Sequence, residues 1–99
     1  MSIENIIQEE ARLIILKELR LQPNRSLTSE AMRRYLLRSF LIDKPREWVE
    51  SQYIFLRDMG AVDVIPAGSV AIARLTERGD LFLQGLASIS GVQSPSARA

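Results

Sequence analysis

The chain has 99 residues, of which 46% are hydrophobic, and a formal net charge of +1, so it is predicted to form one globular domain rather than a disordered or strongly basic one. It contains no cysteine and no histidine, which excludes disulfides, thiol nucleophiles and every histidine-based catalytic or metal site. No apolar run approaches the ~20 residues that span a bilayer, and the acidic N-terminus is unlike a signal peptide. We therefore expect a cytoplasmic protein without membrane contact.

Residues 3–21 are predicted to form the first helix, because apolar residues recur there at helical spacing. The apolar arc is wide and consists of Ile3, Ile6, Ile7, Ala11, Leu13, Ile14, Leu16 and Leu19. Arg12 and the other charged residues are expected to face water. Two interpretations remain open: either this is a well-buried central helix, or its first two turns pack on another subunit. The partner that we expect is a second copy, giving a homodimer through the first and last helices.

After the turn at Pro23, Ser26 and Leu27 are predicted to form a short strand against a later hairpin. Thr28 or Ser29 then caps a second helix that runs from about Glu30 to Phe40 or Leu41. The candidates for its buried side are Ala31, Tyr35, Leu36 and Phe40.

The second helix and the turn after it carry most of the excess positive charge. Arg34 and Arg38 are four residues apart and therefore neighbours, with Arg33 adjacent. These arginines form either a solvated polar face or a clamp on the phosphates of a nucleic acid, for which the forked guanidinium is suited. Lys44 adds a further cation just before the third helix.

The third helix is predicted over residues 45–59, with Asp43 or Lys44 as its cap and Gly60 as its end. Val49, Tyr53 and Leu56 share one face and should point into the core. Trp48 either completes the core and braces the preceding turn or is an exposed anchor for a protein partner.

The outer face of the third helix contains the candidate base-reading residues. Arg46 and Gln52 have side chains that can pair with bases, and Ser51 can bond a base or a phosphate. Glu47 and Glu50 oppose such contacts, because carboxylates are repelled by phosphates.

A β-hairpin is predicted next, with its turn at residues 66–68 between two β-branched runs. Its inward residues are expected to be Val62, Val64, Val70 and Ile72. Since the tip carries no cation, this wing is predicted to be structural rather than DNA-reading.

Thr76 is predicted to cap a last helix that ends near Gly85, with Leu81, Phe82 and Leu86 as its buried contacts. Gly79 lies inside this helix at a cost of about 1 kcal/mol relative to alanine, which close packing would explain. Residues 88–99 are predicted to be a flexible C-terminal tail, so that the domain comprises residues 1–87.

Two segments, 56–62 (LRDMGAV) and 75–79 (LTERG), flank the hairpin. Together with residues 10–19 (EARLIILKEL) and 90–95 (SGVQSP), they resemble a family of small winged-helix proteins of Mu-like phages and prophages. Members of this family are often labelled ArsR-like. The resemblance implies a winged-helix fold and a DNA-binding role in the phage life cycle. Members tend to carry arginines in the third helix, where this chain has Trp48 and Glu50, and to end in a basic tail.

The fold class predicted from the residues is α+β: mainly α with a small β-hairpin, arranged as a winged helix-turn-helix with a three-helix core, a wing and a C-terminal helix. The expected function is binding of double-stranded DNA, with transcription regulation as a candidate role. The alternative is a protein-interaction or phage-assembly module that does not bind DNA directly. The candidate DNA-binding residues are Arg33, Arg34, Arg38, Lys44, Arg46, Ser51 and Gln52. An enzyme is not expected, and no cofactor or metal is implied, because no catalytic motif is present.

Overall fold

The computed structural model describes residues 2–95, in which α-helices pack with a small β-sheet. The elements are α1 (Ile3–Leu21), a 3₁₀ turn (Pro23–Arg25), β1 (Ser26–Thr28), α2 (Ser29–Phe40), α3 (Arg46–Asp58), β2 (Val62–Ala67), β3 (Val70–Leu75) and α4 (Glu77–Leu83). Within these residues the architecture is therefore α+β, with four α-helices and one antiparallel sheet of three strands in the order β1-β3-β2. The α+β class is confirmed, and β1 pairs with the hairpin as predicted.

The hairpin turns at Gly68 and Ser69, and Gly68 adopts a positive φ of 66° there. Pro66 and Ala67, which were predicted to lie in the turn, belong to β2 instead. With this register, Ala73 and Leu75 are buried on the inner face of β3. Because alternate side chains point to opposite faces, the prediction that Val70 and Ile72 point inward is wrong.

The core forms where α1, α2 and α3 meet the inner face of the sheet. Val49, Tyr53 and Leu56 are fully buried, as predicted from their spacing. The largest fully buried side chains also include Ile15, Leu16, Leu19, Met32 and Leu36. Each such apolar side chain contributes about 1.5–3 kcal/mol relative to an exposed one.

Tyr53 also ties α3 to β1, because its hydroxyl donates to the carbonyl oxygens of Leu27 (3.1 Å) and Thr28 (3.3 Å). Burial, with a smaller effect of the Glu50 charge, raises the pKa of Tyr53 well above that of a free tyrosine. The hydroxyl therefore stays protonated and remains a donor.

Side-chain caps fix the starts of two helices at the predicted residues. Thr28 Oγ1 accepts from Ala31 N at 3.2 Å, and Thr76 Oγ1 accepts from Gly79 N at 3.1 Å. The predicted cap of α3 by Asp43 or Lys44 is wrong, because Pro45 is the N-cap residue and no side chain caps this helix. The proline ring instead fixes the backbone angle that precedes α3.

Glycines end α3 and permit close packing of α4. Gly60, with φ of 81°, follows α3 as predicted. A Cβ at Gly79 would collide with the carbonyl oxygen of Ala61 and lie 2.6 Å from Leu75 Cδ1, which confirms the close packing expected at this position.

Two predicted core residues lie at the surface. Phe40 is largely exposed near the end of α2, where Met32 and Leu36 fill the core instead, and Leu86 is exposed beyond the end of α4. Phe40 is the last residue of α2 and packs edge-on against Tyr35, with ring centroids 5.7 Å apart. Leu86 lies three residues beyond α4, where helical spacing no longer sets its direction.

The segment after α4 packs against the domain. Ile89 and Val92 are buried, and Gln93 N donates to the carbonyl oxygen of Glu9 at 3.2 Å. The prediction of a flexible tail, and with it a domain boundary at residue 87, is therefore wrong for residues 88–95. Residues 96–99 of that predicted tail lie outside the described residues.

Candidate nucleic-acid interface

Two of the predicted phosphate-binding arginines of α2 share one carboxylate. Arg33 donates to both oxygens of Glu30, with Nε to Oε1 at 3.0 Å and Nη2 to Oε2 at 2.6 Å. Arg34 Nε donates to Glu30 Oε2 at 3.1 Å, yet 68% of the Arg34 side chain remains exposed. Both pairs join residues three or four apart, which is the spacing at which helical side chains meet.

The ion pairs change the titration of the groups that form them. The hydrogen bond from Arg33, with further hydrogen bonding and charge from Arg34, lowers the pKa of Glu30 from 4.5 to about 2. The same hydrogen bond raises the pKa of Arg33. Glu30 is therefore ionised at neutral pH and offsets part of the positive charge that α2 presents.

A shallow groove of about 590 Å³ runs along the outer side of α2. Its lining residues are Thr28, Glu30, Ala31, Arg34, Tyr35, Arg38 and Ser39. Arg38 is exposed one turn after Arg34, and within residues 2–95 it has no ion-pair partner. The groove thus brings together two exposed guanidinium groups that can donate to successive phosphate oxygens.

Arg46 lies at the start of α3 in a network that joins three elements. Its Nε is 3.7 Å from Glu50 Oε2 and, although buried, makes no hydrogen bond within the described residues. Glu50 accepts from the hydroxyl of Ser29 at 2.7 Å, and that hydroxyl accepts from Ala71 N at 3.1 Å. Through Ser29, Glu50 therefore links α3 to α2 and β3, and it is also the ion-pair partner of Arg46.

The two other predicted base-reading residues differ in accessibility. Ser51 is exposed, but its hydroxyl donates to the carbonyl oxygen of Trp48 at 2.6 Å. Gln52 is only 2% exposed, and its Oε1 accepts from Arg12 Nε at 2.8 Å. The prediction that Gln52 contacts bases is therefore wrong, because its amide is buried between α1 and α3.

Lys44 lies apart from the arginines of α2, at the junction of α3 with the start of α1. Its Nζ is 3.2 Å from Glu4 Oε1 and 5.5 Å from the ring centroid of Trp48. Trp48 is half-buried against the core, and its Nε1 donates to Glu4 Oε2 at 3.3 Å. These contacts favour the interpretation in which Trp48 braces the turn, and Lys44 takes part in the same brace.

Arg12, which was expected to face water, instead joins α1 to α3 and to the segment after α4. Besides its bond to Gln52, its Nη1 donates to the carbonyl oxygen of Gly91 at 2.8 Å, and its guanidinium carbon lies 3.6 Å from the ring centroid of Phe55. Burial, partly opposed by the charge of Glu9, lowers the pKa of Arg12. The wide apolar arc of α1 was the available signal, since positions that border such an arc, as Arg12 does, are expected to be partly covered.

Other side chains on the outer face of α3 have mixed chemistry. Arg57 is exposed and lies 3.1 Å from Asp58, Ile54 is partly exposed, and Glu47 is exposed. Within residues 2–95, no cluster of histidine, cysteine, aspartate and glutamate could hold a metal ion. None of the helices in this range has both the length and the apolar character needed to cross a membrane.

Comparison with known proteins gave no match to a protein-family model, to a curated protein or to a solved structure.

Proposed function

We propose that this chain is a winged helix-turn-helix protein that binds double-stranded DNA, with α3 directed to the major groove and the arginines of α2 directed to phosphates. The order α1-β1-α2-α3-β2-β3-α4 with an antiparallel sheet ordered β1-β3-β2 supports the fold part of this proposal. In this unit α2, a turn and α3 correspond to the helix-turn-helix, and β2 and β3 correspond to the wing.

The groove that contains Arg34 and Arg38 is the observation on which the DNA part of the proposal rests. Both side chains are exposed on the helix that precedes α3, which is where such proteins contact the DNA backbone. Arg33 can join them when a phosphate competes with Glu30. Arg46 and Ser51 are the remaining candidates for contacts from α3.

The carboxylates of α3 limit the affinity that this surface can provide. Glu47, Glu50 and Asp58 outnumber Arg46 and Arg57 on that helix. We therefore expect binding that depends mainly on the cations of α2 and weakens steeply with salt, by roughly one power of salt concentration for each phosphate contact.

A titration of a fluorescently labelled random-sequence duplex at low and at physiological salt tests the proposal. The variant Arg34→Ala/Arg38→Ala should weaken binding about tenfold or more and reduce the salt dependence. Arg20→Ala, which removes an exposed cation of α1 that lines neither groove, serves as the control and should have little effect. Glu47→Gln should strengthen binding, which loss of folding cannot imitate.

Absence of duplex binding at low salt, or binding that is unchanged in Arg34→Ala/Arg38→Ala, would overturn the DNA proposal. The second candidate is then a protein-interaction or assembly module with the same fold. The acidic face of α3 and a hairpin tip that carries no cation at Gly68 and Ser69 favour that alternative. The family resemblance makes phage gene regulation the setting that we propose for the first function and phage assembly the setting for the second.

A further inference from the structure

One side of α1 carries apolar and charged residues that no other part of the described chain covers. Ile3 is 73% exposed, Ile6 is 47% exposed and Leu21 is 77% exposed, and Glu10 and Lys17 are also exposed. With 3.6 residues per turn these five positions fall on one side of the helix. We refer to Ile3, Ile6, Glu10, Lys17 and Leu21 as the α1 stripe.

The middle of the α1 stripe borders a groove of about 410 Å³ with an apolar floor. Leu13 and Ile14 form the floor, and Tyr35 and Phe40 of α2 form one wall. Glu10 and Lys17 also line this groove, and neither has an ion-pair partner within residues 2–95. Leu13 and Ile14 are only 3% and 8% exposed, so the accessible apolar surface comes from Tyr35 and Phe40, beside one unpaired negative and one unpaired positive charge.

The order of these residues along α1 is self-complementary. Glu10 and Lys17 lie at equal distances from the midpoint between Leu13 and Ile14, and so do Ile6 and Leu21. A two-fold axis through that midpoint would place a second α1 antiparallel to the first. Each Glu10 would then face the partner's Lys17, and each Ile6 would face the partner's Leu21.

We propose that a second copy of this chain covers the α1 stripe, with the two α1 helices antiparallel about the midpoint between Leu13 and Ile14. The charges of Glu10 and Lys17 favour a second copy of the chain as the partner and an antiparallel arrangement of the two helices. A parallel pair would set Glu10 against the partner's Glu10 and Lys17 against the partner's Lys17, and like charges in contact oppose association. The antiparallel pair matches both charges and covers exposed apolar side chains at both ends.

The α4 helix is not part of the proposed interface, although the sequence predicted a homodimer through the first and last helices. Asp80, in the middle of α4, is held within the chain by Arg20 at 3.0 Å and Arg25 at 3.4 Å. Phe82 of the same helix is buried in the core. The proposal does not depend on DNA binding, because none of the candidate DNA-contacting residues belongs to the α1 stripe, although Tyr35 lines both grooves.

Charge reversal tests the proposal with the full chain, by sedimentation velocity over a range of protein concentrations. The wild type should sediment as a dimer. Glu10→Lys and Lys17→Glu should each raise the dimer dissociation constant about tenfold or more, because two attractive contacts become repulsive in each case. An equimolar mixture of the two variants should form a heterodimer, because each reversed charge then meets its opposite. The double variant Glu10→Lys/Lys17→Glu should dimerise like the wild type.

Asp63→Lys, which makes the same charge change on β2, is the matched control and should leave the dimer intact. Circular dichroism of every variant checks that the fold is retained. A monomeric wild type, a dimer that Glu10→Lys does not weaken, or a mixture of the two single variants that stays monomeric would each overturn the proposal. Variants that had lost their fold would not form a heterodimer when mixed. Dimer formation in the mixture therefore shows that the single variants were monomeric because of their interface charges and not because they were unfolded.

Discussion

Glu30 determines how much positive charge α2 presents to a ligand. Its carboxylate accepts from both Arg33 and Arg34, so part of their charge is neutralised within the helix. Because these bonds favour the ionised carboxylate, the pKa of Glu30 falls to about 2. The interaction therefore stabilises the fold above the ordinary glutamate pKa and is lost as the pH falls from 4.5 towards 2.

We expect the carboxyl carbon of Glu30 to titrate by NMR with a midpoint near 2 in the wild type. Arg33→Gln removes the largest contribution to the shift and should raise the midpoint towards 4.5. Arg38→Gln removes a cation of the same helix that does not bond Glu30 and should leave the midpoint almost unchanged. A wild-type midpoint near 4.5 would show that the paired geometry does not persist in solution.

The single side chain of Arg12 connects several elements, including the segment of residues 88–95. Arg12 of α1 bonds Gln52 of α3 and the carbonyl oxygen of Gly91, and it stacks on Phe55. Since Gly91 approaches Phe55 so closely that an added Cβ would lie 2.5 Å from the ring, the segment is packed as well as hydrogen-bonded. Arg12 thus joins α1, α3 and the segment that follows α4.

Arg12→Lys should destabilise the protein by about 2 kcal/mol, because lysine cannot make both directed hydrogen bonds and stack on the ring. In this variant, the rate of amide hydrogen exchange should increase more at Val92 and Gln93 than at the buried residues of α3. Arg57→Lys, the same change at an exposed position of α3, serves as the control. Equal exchange protection of the segment in Arg12→Lys and the wild type would contradict this role for Arg12.

Residues beyond α4 contribute to the core of the domain formed by residues 2–95. Ile89 and Val92 bury their side chains against elements that are distant in sequence. The residues up to Ala87 therefore do not contain the complete hydrophobic core.

We expect a chain that ends at Ala87 to lose about 3 kcal/mol of stability in urea denaturation, since burial of Ile89 and Val92 contributes about 1.5–3 kcal/mol each and ordering the segment offsets part of it. A chain that ends at Pro95 keeps both residues and should denature near the wild-type midpoint. Equal midpoints for the two truncated chains would mean that the segment adds nothing to the core.

Features that depend on neighbours along the chain were predicted well from the sequence. The bounds of α1, the caps Thr28 and Thr76, and the end of α3 at Gly60 follow from spacing, hydroxyl capping and permitted backbone angles. The burial of Val49, Tyr53 and Leu56 follows from helical periodicity. These signals act within one or two helical turns, so they do not require knowledge of the tertiary structure.

The candidate site was predicted only in part, because accessibility depends on residues from elsewhere in the chain. Gln52 has a suitable side chain for a base contact, but Arg12, forty residues earlier, holds it inside the domain. Arg34 and Arg38 remain accessible, whereas Lys44 is engaged by Glu4 of α1. Helical periodicity predicts the face of a helix on which a residue lies, but it does not predict which distant side chains, such as Arg12 and Glu4, contact that residue.

By itself, the sequence determined the helices, their caps and the core face of α3, since local spacing and backbone geometry are sufficient for these. Only the tertiary structure decided that residues 88–95 are packed, that Gln52 is buried and which charges remain unpaired. The physical reason is that burial and pairing are set by contacts between elements far apart in the chain, and the same local pattern is compatible with either outcome.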